Sequence, residues 1–122
     1  MIKEIAFTAY PANDVAALRK WYQDVLSIPF DNPYVDNGVE MYNEANVAGG
    51  FFSVMSTHYL GRPAGSGAGV AFEVHDIDQA VKDLRAKGVK IEDPYTTPVC
   101  KLASLEDLEG NKVTLHQITV PH

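Results

Sequence analysis

Two stretches of this chain, 62 residues apart (76 − 14 = 62), carry the same local pattern, and that repetition limits the possible folds more than any other feature. In the second copy, Gly69 to Val74 is a β-branched and aromatic run that stops at His75-Asp76, as a strand does before a helix cap. Asp76 suits an N-cap, because its carboxylate can accept from the free N–H groups of the first turn. Ile77, Ala80, Val81 and Leu84 follow at helical spacing, and Gly88 provides a left-handed stop before a return strand at Val89 to Glu92. Asp78/Lys82 and Asp83/Lys87 stand four residues apart and predict ion pairs on the wet side of this helix. In the first copy, Ile5 to Tyr10 is the strand, Asp14-Val15 repeats Asp76-Ile77, and Val15, Leu18, Tyr22, Val25 and Leu26 form the stripe.

Taken in order, Lys3 to Tyr10 reads as the first strand and Pro11-Ala12-Asn13 as the turn into the helix. Pro29 and Pro33 restrict Ile28 to Tyr34 to a short or edge strand. Asp36-Asn37-Gly38 predicts a hairpin into Val39 to Asn43, and a polar turn at Glu44-Ala45-Asn46 leads into Val47 to Met55. Residues 57–68, rich in glycine, read as a linker. The second half repeats the order: strand 69–75, helix 77–87, strand 89–93, strand 99–105, a turn over 107–111 and strand 112–119, with Gly110-Asn111 supplying positive-φ residues. The predicted class is therefore α+β, with two tandem βαβββ modules whose mixed sheets curl around a shared cavity. Residues 1–122 form a single domain: module 1 over about 1–56, linker over about 57–68 and module 2 over about 69–122.

Composition excludes some partners. A formal net charge of −6 with scattered Lys and Arg does not make a surface for nucleic acid or an anionic membrane. No apolar run approaches the roughly 20 residues that span a bilayer. One cysteine, Cys100, cannot pair within the chain, and the N-terminus shows no secretory signal, so a cytoplasmic protein is expected.

These residues resemble the vicinal oxygen chelate superfamily, which includes glyoxalases, bleomycin-resistance proteins and extradiol dioxygenases. The likeness spans essentially the whole chain. It rests on the two strand-Asp-helix units at Asp14 and Asp76, the helix ending Ala80…Leu84…Gly88-Val89, and the turn Asp107-Leu108-Glu109-Gly110-Asn111 followed by Lys112-Val113-Thr114-Leu115. The family turn usually has proline where this chain has Leu108. The resemblance implies a glyoxalase-like fold and a homodimer. In the metal enzymes it also implies one His or Glu ligand on the first and last strand of each module. By the repeat those positions are Phe7, Phe52, Gly69 and Thr114, none of which carries a carboxylate or imidazole (69 − 62 = 7, 114 − 62 = 52). No metal site and no cofactor are expected.

Strand alternation groups Gly69 with Ala71 and Glu73, Thr114 with His116, and Phe7 with Ala9. The expected ligand-binding wall is Phe7, Tyr42, Phe52, Gly69, Glu73, Thr114 and His116, suited to a small apolar or aromatic molecule. Glu73 and His116 are the candidates for acid/base work, the other reading being an ordinary salt bridge or solvated strand ends. Under the alternative reading, a divalent-metal-dependent lyase, isomerase or dioxygenase, they are displaced ligands helped by Glu40, His75 or a partner chain. Tyr42 and Glu40 are expected on one face of the third strand, bordering the cavity or facing water. Cys100 is expected as a small buried hydrophobe, Trp21 and Tyr22 in core or dimer packing, and His58, Tyr59 and Arg62 in a linker able to act as a lid. His122 belongs to the C-terminal tail.

Overall fold

A computed structural model describes residues 1–121; His122 lies outside them. The chain runs β1 (Thr8–Ala12), α1 (Val15–Leu26), β2 (Tyr34–Asp36), β3 (Val39–Val47), β4 (Gly50–Ser56), α2 (Thr57–Leu60), β5 (Val70–Glu73), α3 (Ile77–Ala86), β6 (Tyr95–Thr96), β7 (Cys100–Glu106) and β8 (Lys112–Ile118). It forms two four-stranded sheets, ordered β1-β4-β3-β2 and β5-β8-β7-β6. In each, the first strand pairs parallel with the last and the remaining pairs are antiparallel. The α+β reading with two βαβββ modules holds.

The two helix starts repeat each other in detail. Asp14 accepts from Ala17 N at 3.0 Å and Asp76 from Gln79 N at 3.1 Å, each satisfying one orphan donor of the first turn. α3 stops at Gly88, whose φ of 82° permits Val89 N to donate back to Leu84 O. α1 stops at Ser27, a non-glycine residue at φ 56°. The i,i+4 ion pairs expected on α3 do not form. Asp78 instead meets Lys101 on β7 at 3.0 Å, and Lys87 donates to the carbonyls of Asp24 and Val25 in module 1. Partners fixed on the tertiary frame outcompete flexible neighbours on an exposed helix face.

Several boundaries differ from expectation. Residues 1–7 are exposed and β1 begins at Thr8, because only from Thr8 onward is there a parallel partner in β4. Ile28 to Tyr34 is no strand: Ile28 and Phe30 bury their side chains as anchors of an irregular segment, and pairing begins at Tyr34. β3 continues through Glu44-Ala45-Asn46, and the turn falls at Ala48-Gly49, both at positive φ. Residues 89–93 contribute only an isolated bridge, Ile91 to Leu105, and the pairing strand is Tyr95–Thr96.

The predicted linker holds helix α2, and its end is fastened down. Gly67 N donates to Asn111 Oδ1 at 2.9 Å, and a Cβ there would come within 3.0 Å of the Tyr10 ring, so the close approach requires glycine. The 107–111 turn does more than reverse the chain. Asp107 Oδ1 accepts from Glu109 N and Asn111 N, Glu109 accepts from Asn13 N and Asp14 N of module 1, and Asn111 Nδ2 donates to Pro11 O. Only Gly110 in this turn has positive φ; Asn111 is fully buried for its hydrogen bonds. Leu108, the departure from the family pattern, is 56% exposed, and this network does not involve its side chain.

Tyr10, Phe52 and Val54 on sheet 1 and Phe72, Val113 and Leu115 on sheet 2 face the helices and meet in one core. Phe52 is its hub, with ring centroids 5.4 Å from Tyr10, 5.1 Å from Tyr22, 6.0 Å from Phe30 and 5.2 Å from Phe72. The Tyr10 hydroxyl accepts from Gly69 N and Val70 N and donates to Lys112 O, so this buried phenol also joins the modules.

Candidate functional site

The face of sheet 1 opposite the helices is built from rings. Tyr34 and Tyr42 stand directly opposite in the β2/β3 ladder, which puts both side chains on one face. Phe7 meets Tyr42 edge-on at 5.8 Å, and Tyr59 of α2 lies 6.3 Å from Tyr34 at an interplanar angle of 33°. His58 extends the row, 5.7 Å from Tyr59. Three of these rings stay open to solvent, Phe7 at 40%, Tyr34 at 52% and Tyr59 at 45%.

Two phenol tips on this face meet carboxylates. Tyr42 OH donates to Glu44 Oε1 at 2.9 Å and Tyr59 OH to Asp36 Oδ2 at 3.4 Å. The Tyr42 phenol is held above its ordinary range first by burial, with Glu44 adding to the effect, so it stays a protonated donor at neutral pH. Of the residues expected in the ligand-binding wall, Phe7 and Tyr42 are brought together here. Sequence reasoning misses Tyr34 and Glu44 and places Tyr59 in a linker able to act as a lid, not in the wall itself. The signal for Tyr34 was the hairpin at Asn37-Gly38, which fixes its register against Tyr42; nothing local in the sequence places Tyr59.

Phe52 does not belong to this face. It is 3% exposed and lies at the centre of the core. The reason is register: the core pairs Phe52/Val54 and Val113/Leu115 are 61 residues apart (113 − 52 = 61), one fewer than the helix repeat, and one residue reverses a strand's faces. Ser53 occupies the outer-face position in its place, with its hydroxyl 3.4 Å from Thr8 O. Glu40 is likewise separated from Tyr42. Tyr34 pairs with Tyr42 and Val35 with Glu40, so Met41 is an extra residue that turns Glu40 back toward α1. There Arg19 holds Glu40 through both carboxylate oxygens, at 3.1 and 2.9 Å, and this lowers the Glu40 carboxyl below its ordinary 4.5.

On module 2, parallel pairing sets Glu73 beside His116 and Ala71 beside Thr114. Glu73 Oε1 contacts His116 Nδ1, and Glu73 Oε2 accepts from Ile118 N at 2.7 Å. A carboxylate on Nδ1 orients an imidazole and leaves Nε2 for other work. Gly69, exposed at φ 109°, donates its N–H to Tyr10. His75 is exposed, and Arg62 donates to Ser66 O at 2.8 Å within its own loop. Cys100 is buried, its sulfur 3.1 Å from Thr97 Oγ1.

A divalent ion needs several donors converging on one point. Among the described residues, no three His, Cys, Asp or Glu side chains gather around one point, and the Glu73 carboxylate is already engaged. A family-type site needs about three protein ligands. The donors among the described residues do not fit one.

The fold and this ring-lined face define an α+β protein of paired βαβββ modules. The sequence profile of the Glyoxalase/Bleomycin resistance protein/Dioxygenase superfamily matches residues 4–115, and the chain belongs to that family. Among solved structures, it is similar to TnmS3, an antibiotic binding protein from Streptomyces sp. CB03234, at 20% identity over 97% of this chain and 98% of that one, with a TM-score of 0.81. Lactoylglutathione lyase from Agrobacterium tumefaciens matches at 16% identity over 95% and 94%, with a TM-score of 0.75. TioX from Micromonospora sp. ML1 matches at 19% over 94% and 98%, also with 0.75. At these identities the likeness is one of fold. No curated protein sequence matches the chain. Among the described residues, no helix is long and apolar enough to cross a membrane.

Proposed function

We propose that this protein binds a small, flat, apolar or aromatic molecule on the ring-lined face of module 1 and does so without a metal ion. The observation that carries the reading is the row Phe7, Tyr42, Tyr34 and Tyr59, with ring contacts at 5.8 and 6.3 Å, in which Phe7, Tyr34 and Tyr59 stay exposed. Stacking on such faces rewards planar ligands. The likeness to TnmS3, an antibiotic binding protein, supports a sequestering role. The protein is taken as a cytoplasmic homodimer; exposed Ile2 and Ile5, at 86% and 87%, supply apolar surface for a second copy to cover.

Calorimetric titration with planar aromatic probes such as naphthoquinones and anthraquinones tests this reading. Tyr42→Ala and Tyr59→Ala are each expected to weaken binding by about tenfold, the order of one lost stacking contact. Probes that bind wild type and both variants equally would sink it, as would a panel without any binder.

The Glu73 and His116 contact favours a second reading, in which His116, oriented through Nδ1, moves a proton on the bound molecule. Glu73→Gln would then leave binding intact and stop any chemical change in ligand recovered and weighed by mass spectrometry. Equal conversion by the variant would count against a proton-transfer role.

A further inference from the structure

The geometry points to a second small-molecule site in the seam between the modules, on the helix side of the sheets, taking a small apolar molecule that bears one positive charge. A cavity of about 350 Å3 opens there, within the size range of ligand pockets. Val25, Leu26 and Ile28 of module 1 form one wall, and Phe72, Leu84 and Leu115 of module 2 form the other. Val25, Leu26 and Phe72 are only half-buried, so the α1 stripe ends facing unfilled space. Carbon atoms bordering such a space lack dispersion partners that an apolar guest would supply.

Charge selects the guest. The charged side chains bordering the cavity are Glu73, Asp83 and Lys87. The Lys87 ammonium is committed: it donates to Asp24 O at 3.0 Å and Val25 O at 3.1 Å, offsetting the negative carbonyl end of α1, whose last turn has no basic residue. Glu73 is engaged by His116 and by Ile118 N. Asp83, exposed at the mouth with Oδ1 accepting from Gln79, is the charge an arriving molecule meets. The whole chain, at −6, opposes anions as well. Because the two walls belong to different modules, occupancy favours the docked arrangement of both.

The test uses the full chain with three probes of one shape, 4-phenylbutylammonium, 4-phenylbutanol and 4-phenylbutyrate, titrated by calorimetry and by amide NMR. The ammonium is expected to bind roughly two- to fivefold tighter than the alcohol, as one exposed charge pair allows, and the carboxylate weakest. Shifts are expected at residues 25–29 and 80–87. Asp83→Asn, at an exposed position, should remove the advantage of the ammonium and leave the alcohol unchanged. Ala80→Trp should fill the space and abolish binding of all three, while Tyr59→Ala changes nothing. Equal affinity for the three probes, an ammonium advantage that survives Asp83→Asn, shifts centred on Phe7, Tyr42 and Tyr59, or no binding at millimolar probe would each overturn the assignment.

Discussion

Tyr22, in the middle of α1, donates its phenol hydrogen to Asp107 Oδ2 across the junction of the two modules at 2.7 Å. Both residues are buried, and Asp107 Oδ2 also accepts from Asn111 Nδ2 at 2.9 Å. Burial first, then the Asp107 charge, push the phenol far above its ordinary range, so it is a protonated donor at neutral pH. A turn that looks like a hairpin connection thus also fastens the modules together.

Tyr22→Phe should therefore lower stability by about 1–3 kcal/mol, the range for losing a hydrogen bond to a buried charged acceptor. Asp107→Ala should cost more, because Asn111, Glu109 and Tyr22 all lose their acceptor. Urea unfolding checks both; equal stability of wild type and Tyr22→Phe would show that the contact contributes nothing net.

Two glycines should respond oppositely to a methyl group. Gly67→Ala places a Cβ 3.0 Å from the Tyr10 ring and from Asn111 Oδ1, and should destabilise by about 1–3 kcal/mol, as overpacking does. Gly50→Ala meets nothing closer than 3.7 Å and should be neutral or slightly stabilising through the unfolded chain. Thermal melting of the pair gives the comparison.

Phe52→Ala should cost about 3–5 kcal/mol, as for a large aromatic removed from a core, because its ring touches four others. Phe7→Ala, at a 40% exposed position, should leave stability within about 0.5 kcal/mol and weaken aromatic ligands instead. Denaturation and titration on the same two variants separate core from site.

The Arg19 and Glu40 pair gives a pH signature. The lowered Glu40 pKa, caused first by the Arg19 hydrogen bonds, means that the unfolded chain binds more protons between that value and the ordinary 4.5. This contribution is present above the ordinary value and fades as pH falls through the lowered one. Arg19→Met should flatten the stability curve in that acidic window while costing about 1 kcal/mol at pH 7. An unchanged slope in acid would rule out Glu40 as its source.

Much of the fold could be read from local chemistry. Asp14 and Asp76 mark helix starts because a carboxylate satisfies orphan N–H groups wherever the chain turns helical, and Gly88 marks a stop because few other residues take its φ cheaply. Alternation along a strand is local and grouped Ala71 with Glu73, but the meeting of Phe7 with Tyr42 joins separate segments and came only with the fold.

What the sequence by itself determined is the repeat, and with it the two βαβββ modules. Tertiary structure alone decided which side of each strand is inside, where the long side chains end and how the modules lock. A single residue's difference between the repeats put Phe52 in the core, and the extra Met41 turned Glu40 to Arg19. Lys87 left Asp83 for carbonyls 63 and 62 positions away, and Tyr59 reached Tyr34 from a connecting segment. These contacts depend on register and on distances closed by folding. Spacing along the chain does not encode either of them.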